Sequence, residues 1–156
     1  MNTKAIVLDA NILIRAVLGR RVRDLILTHA NTTQFFAPDV AYADARKYLP
    51  ALLQKRGVPP DAAMASLDYL EMLVFPLDHD LYSRVRDEAL RRIAVRDADD
   101  WPVLACALVI GCPVWTEDAD FFGTGVATWT SDRVELYLTS DIGKKPLSVE
   151  ESVPVH

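Results

Sequence analysis

Cysteine is scarce in this chain, with Cys106 and Cys112 the only two among 156 residues. Their spacing fits neither a CxxC redox pair nor a zinc-binding set, and two thiols do not make a disulfide scaffold. They are expected to be packing residues in a reducing compartment. Glycine is also sparse, at six, and no glycine-rich phosphate loop is present, so phosphate recognition by a P-loop or dinucleotide fingerprint is excluded. The three histidines, His29, His79 and His156, lie outside the acid-bearing segments described below, and none is assigned as a metal ligand or general base. No apolar run approaches the roughly 20 residues that a membrane span needs. The first one, Ala5 to Leu8, ends at Asp9 and is too short for the core of a secretion signal, so a cytoplasmic location with no membrane partner is expected.

An excess of positive charge is missing as well: the formal net charge is -5. On its face this argues against nucleic acid as a ligand, because backbone contacts come from Lys and Arg. A site that gathers carboxylates around a divalent cation reverses the local sign, so the argument is weak. Basic groups also cluster locally, at Arg15, Arg20, Arg21 and Arg23, at Lys55 and Arg56, and at Arg84, Arg86, Arg91, Arg92 and Arg96. The ordinary reading of each run is a solvated helix face. The length fits one domain, and 51% apolar with 25% charged residues is the balance of a globular protein.

Ala5-Ile6-Val7-Leu8 reads as a strand buried on both faces, passing through Asp9-Ala10-Asn11 into a helix that ends near Gly19. A helix over Val22–His29 and a strand over Gln34–Pro38 follow, then a helix capped by Asp39 that Pro50 should break or kink. Gly57-Val58-Pro59-Pro60-Asp61 punctuates the chain before a helix over Ala62–Met72 and a strand over Leu73–Leu77. Leu81, Val85, Ala89 and Ile93 recur at helical spacing, predicting one amphipathic helix from Leu81 to Ala94. After the acidic turn Arg96–Asp100, a helix runs from Trp101 to Ile110 and is stopped by Gly111, with short strands at Pro113–Thr116 and Val126–Trp129. The pattern fades beyond Leu138. This alternation predicts a three-layer α/β/α sandwich with a central parallel sheet, and in such sheets ligands bind beyond the carboxyl ends of the strands.

That rule makes the acids informative. Asp9 ends the first strand, Asp118 follows the strand at Thr116, and Asp100 opens the preceding helix. Phosphodiester hydrolysis needs a cation that neutralises the phosphate and activates water, and Mg²⁺ or Mn²⁺ held by converging carboxylates supplies both. Each acid also has a plain structural role open to it: Asp100 and Asp99 as helix caps, Asp118 and Asp120 as turn-formers, and Asp44 as an exposed partner of Lys47. Asp97 is read as shaping its turn. Asp9 is the sharpest signal, because an unpaired acid at the end of a buried strand is costly.

The segments Ile6–Asn11, Arg96–Ala107 and Val114–Phe121 resemble the three most diagnostic stretches of the PIN-domain nucleases, in the family's order, and the overall size resembles VapC-type toxins. The resemblance implies a metal-dependent ribonuclease domain over residues 1–139, with residues 140–156 as a C-terminal tail. It further implies a cognate antitoxin partner and a homodimer. Carried over by position, Asp9, Asp100 and Asp118 match the first, third and fourth acids and so the metal ligands. Thr116 matches the hydroxyl residue before the fourth acid, and Asn11 the polar residue after the first. Asp120 lies in the resembling segment as a supporting acid. Asp44 stands where the family commonly has Glu, one methylene longer. Apolar contacts to a partner are sought in Tyr42, Tyr48, Leu49, Leu52, Leu53, Met64, Leu67 and Leu70.

Two other readings compete. A phosphotransferase using Asp9 as nucleophile would want a second acid where Asn11 stands and a lysine near Thr116, and neither is evident. A PIN-like scaffold that binds RNA or a partner without cutting draws its support only from the Asp44 departure.

Overall fold

The computed structural model describes residues 4–93 and 96–140. Of the tail expected from residue 140, residues 141–156 lie outside the described residues. Strands β1 (Lys4–Leu8), β2 (Thr33–Pro38), β3 (Val74–Leu77), β4 (Val114–Trp115) and β5 (Thr128–Trp129) form one parallel sheet in the order β3-β2-β1-β4-β5. Helices α1 (Ala10–Leu18), α2 (Arg21–Thr28), α3 (Asp39–Lys55), α4 (Asp61–Leu70), α5 (His79–Tyr82), α6 (Arg86–Ile93), α7 (Trp101–Ile110) and α8 (Val134–Thr139) connect and follow the strands. Among the described residues no helix is long and apolar enough to cross a membrane.

Alternation along β1 explains the layering. Ile6 and Leu8 pack into a core with Ile12 and Leu13 of α1, Leu49 of α3 and Leu67 of α4. Val7, between them, joins the opposite core with Ile93 of α6, Leu104 of α7 and Phe121. Successive side chains of a strand point to opposite faces, so an all-apolar strand requires cover on both. The predicted three-layer α/β/α sandwich is therefore what forms.

The chain winds outward from β1 through β2 to β3, then returns to β1's other side for β4 and β5. This reversal lies between β1 and β4, where Leu8 pairs with Trp115, so the residues immediately after these strands, Asp9 and Thr116, face each other across the switch point.

Three expectations need correction. Pro50 does not break α3, which runs on to Lys55 with Pro50 inside it. Buried Leu49 and Leu53 hold that stretch by packing, and only one backbone bond is forfeited. Asp39 does not cap α3 from outside: Pro38 holds the cap position, and the Asp39 carboxylate accepts from the Tyr82 hydroxyl at 2.6 Å and from the His79 N–H at 3.1 Å. That tether helps explain the third difference. The span from Leu81 is divided into α5, a 3₁₀ turn at Ser83–Val85 and α6 rather than one helix, since Tyr82 is fixed by a bond to a residue distant in sequence. Gly111 does stop α7 as expected, in the left-handed region at φ 80° with its N–H on the Ala107 carbonyl.

Of the apolar residues considered for partner contact, Tyr42, Leu49, Leu53, Leu67 and Leu70 are core, whereas Tyr48 stays 52% exposed. Leu49→Ala, removing a fully buried side chain, is expected to cost about 2–5 kcal/mol in a urea unfolding titration.

Candidate active site

Asp9 is buried, with 8% of its surface exposed. Its Oδ1 accepts the Ile12 N–H at 3.0 Å, which starts α1, and its Oδ2 accepts the Thr116 hydroxyl. The Thr116 oxygen in turn accepts the Asp118 N–H at 2.9 Å, and Asp118 Oδ1 accepts the Asp120 N–H at 2.9 Å. The cap role and the site role therefore coincide at Asp9, and a turn role accompanies Asp118. Neighbouring Glu117 turns elsewhere, its carboxylate accepting the Ser131 N–H at 2.7 Å.

A cleft of about 210 Å³ lies beyond these strand ends, and Asp9, Asn11, Asp44, Asp99, Asp100 and Asp118 are among its walls. All four acids named from sequence converge there. Asp44 enters from α3 and is exposed, and the Lys47 ion pair open to it does not form among the described residues. Asp100 occupies the cap position of α7 but makes no capping hydrogen bond. Its Oδ2 is buried without a partner.

Such an orphaned oxygen is costly unless something binds it. Carboxylates in this density are hard oxygen donors suited to Mg²⁺ or Mn²⁺, so the residues present fit a divalent cation. Carboxylate oxygens of Asp97, Asp100 and Asp120 lie within 4.8 Å of one another. Asp120, taken as a support, thus reaches Asp100. Asp97 also fills its expected turn role, accepting the Asp99 N–H at 3.0 Å, and its proximity to Asp100 went unread in the sequence. The signal was there: residues three apart eclipse in a 3₁₀ turn, and Ala98–Asp100 is one.

Electrostatics carry the mark of this crowding. Burial first, then the carboxylates of Asp97 and Asp118, the hydrogen bond that a protonated Asp100 could give Asp118, and the charge of Asp9 raise the Asp100 pKa from 3.8 to about 7. Burial also raises Asp9, against the lowering effect of its bonds to Thr116 and Ile12, while Asp118 and Glu117 add to the rise.

Comparison with known proteins gives the family and the fold. The PIN-domain family profile matches residues 7–139, and the chain belongs to that family. Among solved structures it is similar to a chain of VapBC2 from Rickettsia felis bound to a DNA fragment from their promoter, with a TM-score of 0.58, 13% identity, and coverage of 81% of this chain and 98% of that one. At that identity the likeness concerns the fold. No curated protein matches the chain in sequence.

A carboxyl whose pKa is raised on folding stabilises the folded protein while it is protonated. That contribution is complete below the unfolded value and lost as pH rises through the folded one. In EDTA, the melting temperature is therefore expected to fall between pH 5 and pH 8, and to fall less in Asp100→Asn, as read by thermal denaturation at each pH. Identical profiles for the two proteins would show that Asp100 is not the strained group.

Proposed function

We propose that this chain is a Mg²⁺-dependent endoribonuclease, working in the cytoplasm as the toxin of a toxin–antitoxin pair, with Asp9, Asp44, Asp100 and Asp118 as its site acids. The observation that carries the reading is their convergence on one cleft at the sheet's switch point, with the buried Asp100 Oδ2 left unpartnered. Membership of the PIN-domain family supports the nuclease class.

Asp9, Asp100 and Asp118 would hold the cation, with Mn²⁺ an acceptable substitute. When bound, the cation supplies charge neutralisation at the phosphate and an acidified water. The chain's own residues do the rest. Thr116 fixes the Asp9 carboxylate and, through the Asp118 N–H, the start of the loop that carries Asp118. Asn11, exposed at the mouth of the cleft, has an amide that can donate to a phosphate oxygen. Asp44 and Asp120 support from the walls, Asp44 at a reach shortened by one methylene relative to Glu.

A cognate antitoxin partner is part of the proposal, supported by the VapBC2 fold neighbour; a homodimer is proposed on the family resemblance alone. The phosphotransferase alternative is not favoured, because Asn11 stands where it wants a second acid and no lysine is among the described residues lining the cleft.

Asp9→Asn tests the assignment more cleanly than Asp9→Ala, because the amide oxygen retains a cap acceptor for Ile12 while the charge is removed. Its stability is expected to stay within about 1 kcal/mol of wild type, whereas alanine forfeits the cap as well. Incubated with a pool of tRNA and structured RNA, wild type should give discrete cuts with Mg²⁺ or Mn²⁺ and none in EDTA, and Asp9→Asn none in any condition. Cutting by a folded Asp9→Asn protein, or cutting undiminished in EDTA, would overturn the proposal.

A further inference from the structure

Of the three acids proposed to hold the cation, two are fixed by hydrogen bonds and one is not. Asp9 accepts from Ile12 and Thr116, and Asp118 Oδ1 accepts the Asp120 N–H. The Asp100 carboxylate accepts no N–H or hydroxyl among the described residues, having no capping bond and a buried Oδ2 without a partner. Its direction is therefore set by the backbone that carries it, the 3₁₀ turn Ala98–Asp100.

Three bonds shape that turn. Asp97 Oδ1 accepts the Asp99 N–H at 3.0 Å, the Asp97 carbonyl accepts the Asp100 N–H at 3.1 Å, and the Ala98 carbonyl accepts the Trp101 N–H. All three are local, and none ties the turn to the strand ends where Asp9 and Asp118 stand. What reaches out to other elements is the Trp101 side chain. Its ring centre lies 5.6 Å from that of Tyr82 and 6.0 Å from that of His79, the latter edge to face at 82°, and the Arg86 guanidinium is 5.4 Å from it. Asp99, Asp100, Pro102 and Val103 line the cleft on either side of Trp101, whereas Trp101 is not among its walls.

The grip on Trp101 is itself anchored. Tyr82 is fully buried with its hydroxyl on Asp39 Oδ1, and Asp39 Oδ2 accepts the His79 N–H. One carboxylate in the first turn of α3 thus secures the segment that holds the tryptophan. Trp101 is only half-buried, and His79 and Arg86 are exposed. An aliphatic side chain would fill such a place equally well. It would lack the ring face that an aromatic edge and a guanidinium can fix.

We propose that Trp101 is a positioning residue of the cation site: held by Tyr82, His79 and Arg86, it fixes the Ala98–Asp100 turn and so aims the Asp100 carboxylate at the cation held with Asp9 and Asp118. The inference rests on the metal-dependent reading of the cleft and deepens it by naming what orients the one ligand that no hydrogen bond holds. Trp101 touches neither cation nor substrate in this role and acts through Asp100. A small hard cation demands closely defined ligand positions, so a loosened turn is felt first as lost affinity.

Mn²⁺ binding by the full chain, without RNA and with free Mn²⁺ counted by electron paramagnetic resonance, tests this. Trp101→Leu, apolar but ringless, should weaken binding about 10- to 100-fold, the usual cost of losing the support behind a metal ligand. Trp101→Phe should recover most of that loss. His79→Leu, at an exposed position and with its N–H still available to Asp39, should weaken binding about 2- to 10-fold, the loss of one edge-to-face contact. Leu49→Ala lowers stability without touching the ring cluster and should leave Mn²⁺ affinity unchanged. Circular dichroism checks each fold, and should Trp101→Leu not fold, His79→Leu decides alone. Wild-type affinity in the folded Trp101→Leu and His79→Leu proteins would overturn the inference and reduce the cluster to packing, and an equal loss in Leu49→Ala would overturn it in favour of general destabilisation. A wild type that binds Mn²⁺ yet cuts no RNA would sink the ribonuclease reading and leave the inference standing, whereas one that binds no Mn²⁺ would sink both.

Discussion

Two hydrogen bonds to one buried carboxylate organise this molecule. The Ile12 N–H and the Thr116 hydroxyl approach Asp9 from opposite sides of the sheet's reversal, one from the first turn of α1 and the other from the end of β4. A carboxylate 8% exposed is expensive to bury, and donors fixed by the backbone offset much of that cost. The Ile12 bond starts α1 at the strand end, and from there Asn11 and Ile14 line the acid cleft. Thr116 also anchors the loop carrying Asp118 through its second bond.

The remaining acids work against that anchor. Asp97, Asp100, Asp118 and Asp9 crowd together at one end of the sheet, and burial adds to their mutual repulsion at Asp100. Without a cation, the site relieves this tension only by keeping a proton. Local stability is given up where binding needs unsatisfied charge, a common pattern at functional sites. The well-packed cores on both faces of β1 are what hold the acids in place regardless.

Much of this was legible in the residues. The doubly buried strand at Ala5–Leu8, the helix stop at Gly111 and the placement of Asp9, Asp100 and Asp118 at strand ends or a helix start all follow from local pattern, and the cleft gathers those acids as the strand-end rule requires. What escaped were effects of long-range contact. The Tyr82 hydroxyl on Asp39 divides a span whose periodicity reads as one helix, and packing of Leu49 and Leu53 carries α3 past Pro50. The proximity of Asp97 to Asp120 joins residues on separate loops. Tyr42 and Tyr48, taken together as partner-contact candidates, lie about 120° apart around α3, and it is Tyr42 that shares the buried face with Ala45, Leu49 and Leu53.

The two margins of the sheet limit how it can be extended. At one margin β3 contains Pro76, which has no N–H to offer, and at the other β5 is two residues long. Neither presents the uninterrupted row of donors and acceptors on which a foreign strand could template itself, so runaway polymerisation by sheet extension is blocked at both ends. What the β3 side of the molecule offers another protein is therefore side chains and not backbone: Tyr69, Met72 and Phe75 stand 57%, 73% and 60% exposed around the turn into β3.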